Sequence, residues 1–307
     1  MTLQPGRTPL QDAILSTLVY YDIWEHPLSQ AELYAFLPSN SLSFGEFGRK
    51  LRDHGPGMEI GEHSGYYFLQ NRGASVVNRR REKEQHAGRL WKMAHLATHI
   101  IKRFPYVRAV FVSGDLSKNV TGPGSDIDFF IITAPGKLWI TRSMLVLFKK
   151  VFLLNSKKYF CLNSFATEDH LMLDEQNIFL ATEVGHLKVL YNSEMFRKYL
   201  EQNLWIRTYF PNFDASCIPA IQANNRRSLL QLLFEVCLTV FPTDTLDRYL
   251  LNKMRRIWER RYPEFDEEMR ARILRSTRNE SRAYVGNFQD TILQIYRKKL
   301  KEVGLSN

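Results

Sequence analysis

The stretch that most constrains this chain is residues 107–133, VRAVFVSGDLSKNVTGPGSDIDFFIIT, where two apolar runs flank a glycine turn and a polar loop. The first run, 107–112, breaks at Ser113-Gly114, and the second, 127–132, begins inside Ser125-Asp126-Ile127-Asp128. Short runs rich in Val, Ile and Phe and bounded by turn residues predict two buried strands. Side chains two apart share one face of a strand, so Asp126 and Asp128 should point the same way where the second strand starts. Carboxylates held so close repel one another unless a cation lies between them. Hard oxygen ligands suit Mg²⁺, which takes one or two carboxylates and completes its shell with water and phosphate oxygens. The glycine of the first turn lets backbone N–H groups approach a phosphate. A phosphate cradle opposite a metal-binding carboxylate pair is the minimum for phosphoryl or nucleotidyl transfer.

This arrangement resembles the signature of the DNA polymerase beta-like nucleotidyltransferase superfamily: an apolar strand, Gly-Ser or Gly-Gly, a spacer of roughly ten residues, then Asp-x-Asp or Asp-x-Glu. Here the parts are Gly114-Asp115, residues 116–125 and Asp126-Ile127-Asp128, and the resemblance spans residues 107–191. It implies an α/β (α+β) fold with a small mixed-sheet core. It also implies Mg²⁺, with two ions accommodated, and a nucleoside triphosphate as partner. Asp126 and Asp128 would be the catalytic, metal-holding pair. Phosphate contacts would come from Ser113, Gly114, Asp115, Ser117 and Ser125, with Arg142 as a further neutralising charge. The acceptor is left open among a small molecule, a protein and an RNA end. Two positions depart from the pattern. Asp115 stands where the family usually has Ser, and Asn163, in KKYFCLNSFAT, stands where a third carboxylate often serves as ligand and base. An amide oxygen can join a metal shell, but it brings no net charge and accepts no proton.

A formal charge of +10 and a pI near 9.5 favour polyanionic company such as nucleotide or nucleic acid. Cys161, Cys217 and Cys237 are odd in number, far apart and without a Cys-x-x-Cys pair, which indicates neither a disulfide framework nor a zinc site. The start shows no signal-peptide pattern, and charges interrupt every long apolar stretch, so a cytoplasmic chain with no membrane partner is expected.

Before the signature, residues 8–75 carry three capping boxes, beginning at Thr8, Ser29 and Ser43, and then a hairpin turning at His63-Ser64-Gly65. Gly55-Pro56-Gly57 should stop the third helix. Three helices and a hairpin in that order resemble a winged helix-turn-helix. The third helix offers Arg49, Lys50 and Arg52 to DNA, but the wing offers Glu59 and Glu62, which oppose phosphate, so DNA is a weaker candidate than nucleotide. Residues 76–104 predict a connecting helix carrying His95 and His99 at i, i+4, with no third ligand at the matching turn. Residues 105–192 form the expected core: a helix over 138–154, a third strand over 159–165, a helix over 175–185 and a last short strand over 187–191. Residues 193–307 predict a helical region: a helix capped by Ser193, amphipathic helices over 228–241 and 245–262, and one over 267–300 broken near Gly286.

Three functions fit this reading. The first is a nucleotidyltransferase moving a nucleoside monophosphate from a Mg-triphosphate to an acceptor hydroxyl. The second is a nucleotide- or partner-binding protein on the same scaffold with weakened chemistry, motivated by Asp115 and Asn163. The third is a DNA-binding regulator acting through the N-terminal region.

Overall fold

Reciprocal capping starts the chain. The Thr8 hydroxyl accepts from the Gln11 N–H and the Gln11 side chain accepts from the Thr8 N–H, opening α1 (Pro9–Asp22). After the two-residue strand β1 (Leu28–Ser29), Ser29 and Glu32 open α2 (Gln30–Ala35) in the same way, and Ser43 with Glu46 opens α3 (Phe44–His54). Strands β2 (Ile60–His63) and β3 (Tyr66–Leu69) form the expected hairpin, turning on Ser64 and Gly65, both at positive φ. The hairpin gains a third strand, since β1 pairs with β3. A computed structural model describes residues 7–39, 42–54, 59–156, 158–214, 227–282 and 288–305. The expected stop at Gly55-Pro56-Gly57, the expected break at Gly286, and Cys217 lie outside the described residues.

The connecting helix is α4 (Ser75–Ile101). Buried Arg80 clamps it to the N-terminal module, donating to Glu32 at 2.7 Å, to Glu84 at 2.8 Å and to the Pro27 carbonyl. Then come β4 (Val107–Ser113), the single turn α5 (Gly114–Ser117), β5 (Asp128–Thr133), α6 (Leu138–Phe152), β6 (Cys161–Thr167), α7 (Ile178–His186), β7 (Lys188–Tyr191) and α8 (Ser193–Gln202). The remaining elements are α9 (Leu229–Leu238), α10 (Thr243–Arg261), α11 (Glu267–Ile273), β8 (Glu280–Arg282) and α12 (Phe288–Glu302).

Five strands make one mixed sheet in the order β7-β4-β5-β6-β8. β4 and β5 are antiparallel, whereas β5 and β6 are parallel and need the α6 crossover. With the separate three-stranded sheet, the fold is α+β. Alternation along β5 sends Phe129 and Ile131 to a core shared with α4, α6 and α10, and Phe130 and Ile132 to a core shared with α1, α7, α8 and α12. The second core runs without interruption from the N-terminal helices to the lower face of the sheet, so the N-terminal module forms one wall of whatever opens there.

Two features depart from the sequence reading. The C-terminal region is not wholly helical: residues 280–282 add the edge strand β8 to β6, and α12 returns to α1 through Tyr296 on Tyr20 and a Lys299–Asp22 ion pair of 2.7 Å. The cap of α8 is Asn192, not Ser193; Asn192 sits at φ 65°, where Asn is tolerated, and accepts from the Met195 N–H.

Candidate functional site

The register of β4 on β5 pairs Ser113 with Asp128, so the next residue, Gly114, turns directly over the Asp128 carboxylate. Gly114 has φ +67°, and a Cβ built there would stand 2.5 Å from Asp128 Oδ2. Backbone conformation and carboxylate both demand glycine. Ile127, fully buried between the two aspartates, fixes the strand face, and its N–H donates to the Lys158 carbonyl at 2.9 Å. Asp126 and Asp128 therefore stand on one wall of an open cleft of about 380 Å³. Gly114, Asp115, Lys118, Ser125 and Asn163 share that wall, with Trp24, Phe179, Glu183 and Phe288 around them. A second cavity of about 280 Å³ shares Trp24, Asp115, Lys118 and Ser125 and extends past Tyr21, His26 and Lys83.

The loop between turn and carboxylates is tied down at several points. Trp91 Nε1–H donates to Asn119 Oδ1 at 3.0 Å, the Thr121 N–H to the Lys83 carbonyl at 3.2 Å, and the Gly122 N–H to Ser125 Oγ at 2.9 Å. Ser125 in turn donates to Asp115 Oδ2 at 3.4 Å. A β-bulge between Phe129 and Phe130 leaves Asn163 as the extra residue of β6, lining the cleft beside Asp128.

The expected site residues divide. Gly114, Asp115, Ser125, Asp126, Asp128 and Asn163 line the cleft. Ser113 and Ser117 do not. Ser113 borders a small neighbouring cavity, and buried Ser117 donates to the Gly114 carbonyl at 2.7 Å, closing the α5 turn. Arg142 is also elsewhere: it lies on α6, donates to the Leu162 carbonyl at 3.3 Å and sits 5.2 Å from the Phe165 ring. Burial lowers its guanidinium to about 10, and its Nε has no hydrogen-bond partner among the described residues. A helix on the opposite side of the sheet cannot neutralise a phosphate in this cleft. His95 and His99 are exposed on α4, far from any third ligand, and among the described residues no three His, Cys, Asp or Glu side chains are grouped to hold a metal ion.

Four carboxylates face one another here. Burial raises the Asp128 carboxyl to about 6; a hydrogen bond from Cys161 opposes this, and the charges of Asp126, Glu183 and Asp115 add to it. The Cys161 thiol, opposite Asp128 across the parallel pair, is pushed up to about 12 by burial and by that neighbour, so it is a neutral donor rather than a thiolate. Lys118 stands against this acidity, its Nζ 2.8 Å from Glu183. Burial and the Arg80 charge lower His26 to about 3, which leaves it neutral in the neighbouring cavity. Two aspartates and an amide oxygen line one cleft, with negative charge in excess; such oxygens are the kind a hard divalent cation takes, although they do not amount to a group of three acidic, His or Cys ligands. Cys161, Lys118 and Glu183 were absent from the expected set. Lys118, four residues after Gly114 and the first cation beyond the turn, was the one detectable by spacing.

No helix among the described residues is by itself long and apolar enough to cross a membrane. No protein family, no curated protein and no solved structure matches the chain.

Proposed function

We propose that this protein binds a nucleoside triphosphate with Mg²⁺ in the cleft and transfers the nucleoside monophosphate to an acceptor hydroxyl. The observation that supports the reading is the contact of the Gly114 turn with Asp128 in the cleft that Asp126 also lines. Asp126 and Asp128 would hold the cation, with Asn163 as a neutral ligand. When bound, Mg²⁺ would draw charge from the phosphate oxygens. The chain's own part is to position and to neutralise. The turn N–H groups cradle the β- and γ-phosphates, Lys118 and Lys83 offset their charge, and Trp24 and Phe179 offer aromatic faces to the base. The acceptor oxygen then attacks the α-phosphorus, the bond to pyrophosphate breaks, and the acceptor proton passes to a carboxylate of the cleft. The class of acceptor stays as in the sequence reading: a small molecule, a protein side chain or an RNA end.

A second reading is favoured by two side chains of the same cleft. Asp115 brings a carboxylate to the phosphate side, and Asn163 leaves the β6 position without charge, as in a nucleotide-binding protein that has lost turnover. The test is incubation with labelled triphosphates and Mg²⁺, comparing wild type with Asp115→Ser, Asn163→Asp. Label transfer or pyrophosphate release by wild type, lost in Asp126→Asn, Asp128→Asn, supports the transferase. Turnover in the restored variant alone supports the binding protein. The DNA reading has less support: although Arg7 pairs with Glu59, Glu62 of the wing is exposed and opposes phosphate.

A further inference from the structure

Helix α9 is built inside out. Its polar side chains face the protein: buried Gln231 donates to the Val107 carbonyl at 2.7 Å, and Glu235 accepts from Arg108 at 2.9 Å and from the Tyr106 N–H at 2.7 Å. Its apolar side chains face away, with Leu229 79% exposed, Leu233 62% and Val236 66%, and just beyond the helix Val240 is 82% exposed. Polar anchoring to the sheet edge fixes this orientation, so the helix cannot roll to hide its apolar side without breaking four hydrogen bonds or ion pairs. The exposed surface continues across a groove of about 630 Å³ onto the end of α6, where Leu147, Val151, Phe152 and Leu154 are also exposed. A patch of this extent on two neighbouring helices marks an interaction surface.

The charge around it selects the occupant. Residues 129–167, which carry α6, contain no acidic side chain and six basic ones, of which Arg142 is buried and Lys137 is paired with Asp244, and the only acidic residue between 215 and 243 is the inward-turned Glu235. Arg103 lines the groove, exposed Lys150 directly precedes its Val151, and Lys158 is exposed further along the chain. A second copy of the same face would bring these cations against one another. An apolar strip bordered by Arg103 and Lys150, with the nearest outward acid, Asp244, already paired with Lys137, matches instead the interface of an anionic bilayer, where the apolar side chains enter the acyl boundary and Lys and Arg meet lipid phosphates. At ten residues α9 is about 15 Å long, half the hydrocarbon thickness, and α10 leaves it at 92°, so the pair lies on a membrane and does not span it.

We infer that the α6–α9 face seats this protein peripherally on an anionic membrane surface. This is independent of the nucleotide reading and concerns the opposite side of the sheet from the cleft. The experiment is co-sedimentation of the full chain with vesicles of phosphatidylcholine alone and with about a third phosphatidylserine, at low and high salt, with light scattering of the protein alone. Retention on anionic vesicles, weakened by salt and reduced at least about tenfold both in Phe152→Asp, Val240→Asp and in Lys150→Glu, Lys158→Glu, is expected. All four positions are exposed, so folded variants are expected, and circular dichroism confirms them. No retention at low salt, or equal retention on neutral vesicles, overturns the inference. So does a dimer dispersed by Val240→Asp, which would make a second copy the occupant, or a monomer that ignores lipid yet binds an acidic protein through the same residues.

Discussion

Gly114 and Asp128 touch: the glycine stands at φ +67° with its missing Cβ position 2.5 Å from the carboxylate Oδ2. Gly114→Ala places a methyl group on that oxygen in a backbone region that costs L-residues about 1–3 kcal/mol. Chemical denaturation should show a loss of this size, and a magnesium-triphosphate stabilisation seen in wild type should vanish. An alanine variant with wild-type stability would mean that the turn relaxes freely and that the close contact is not a constraint.

Asp128 titrates near 6, above its ordinary 3.8, chiefly through burial and then through Asp126, Glu183 and Asp115. The folded protein therefore binds this proton more tightly than the unfolded chain. That contribution to stability is complete below pH 3.8 and is lost as pH rises through about 6. Asp128→Asn removes the repulsion, and at about pH 7.5 it should stabilise the metal-free protein by up to about 3 kcal/mol, with no gain near pH 4. Melting curves across that range check this. A destabilised Asn variant at neutral pH would show that the carboxylate supports the fold rather than strains it.

Mg²⁺ should oppose the same repulsion. Because the ion binds the deprotonated carboxylates, its stabilisation of wild type should be larger at about pH 7.5 than at about pH 5. Asn163→Asp adds a third carboxylate to the wall and should raise Mg²⁺ affinity at least about tenfold while lowering metal-free stability. Titration calorimetry measures the affinity, and thermal unfolding without metal measures the stability, each with and without the substitution. Unchanged affinity would place residue 163 outside the metal shell.

Arg80 holds the N-terminal module to α4 and hence shapes the wall that carries Trp24 and His26. Burial raises the Glu32 carboxyl, but the Arg80 hydrogen bond and charge outweigh it and hold Glu32 below its ordinary range. Arg80→Met leaves Glu32 with only its Ser29 donors and Glu84 with only the Tyr66 hydroxyl, removes the cation both carboxylates share, and should cost about 3–5 kcal/mol. Arg80→Lys should recover only part of this, since one ammonium cannot serve both carboxylates and the Pro27 carbonyl in the same fork. Full recovery by Lys would show that charge alone matters there.

The central strands, the α6 crossover and the capped N-terminal helices are legible because each carries its own local signal: a short apolar run bounded by turn residues, a longer apolar stretch broken by Arg142, Lys149 and Lys150, or a reciprocal cap. β1 and β8 were not, since two and three residues show no period and their partners lie far along the chain. Within the cleft, glycine and aspartates were readable from spacing. Glu183 and Cys161 meet Asp128 only through the packing of elements far apart in the chain, and Arg142 is misplaced because sequence cannot tell which side of the sheet a crossover helix covers. α9 shows the same limit in another form. Periodicity gives a helix with two faces, and only the hydrogen bonds of Gln231 and Glu235 reveal that the polar one is inside.

The most direct test of the account is thermal unfolding against a panel of nucleoside triphosphates, with and without Mg²⁺, for wild type and Asp126→Asn, Asp128→Asn. Ligand at a hundred times its dissociation constant stabilises by about 2.7 kcal/mol, a midpoint shift of several degrees. The account predicts a shift that requires Mg²⁺ and disappears in the double variant. A wild-type protein whose midpoint ignores every nucleotide, or a double variant that responds as wild type does, would contradict it.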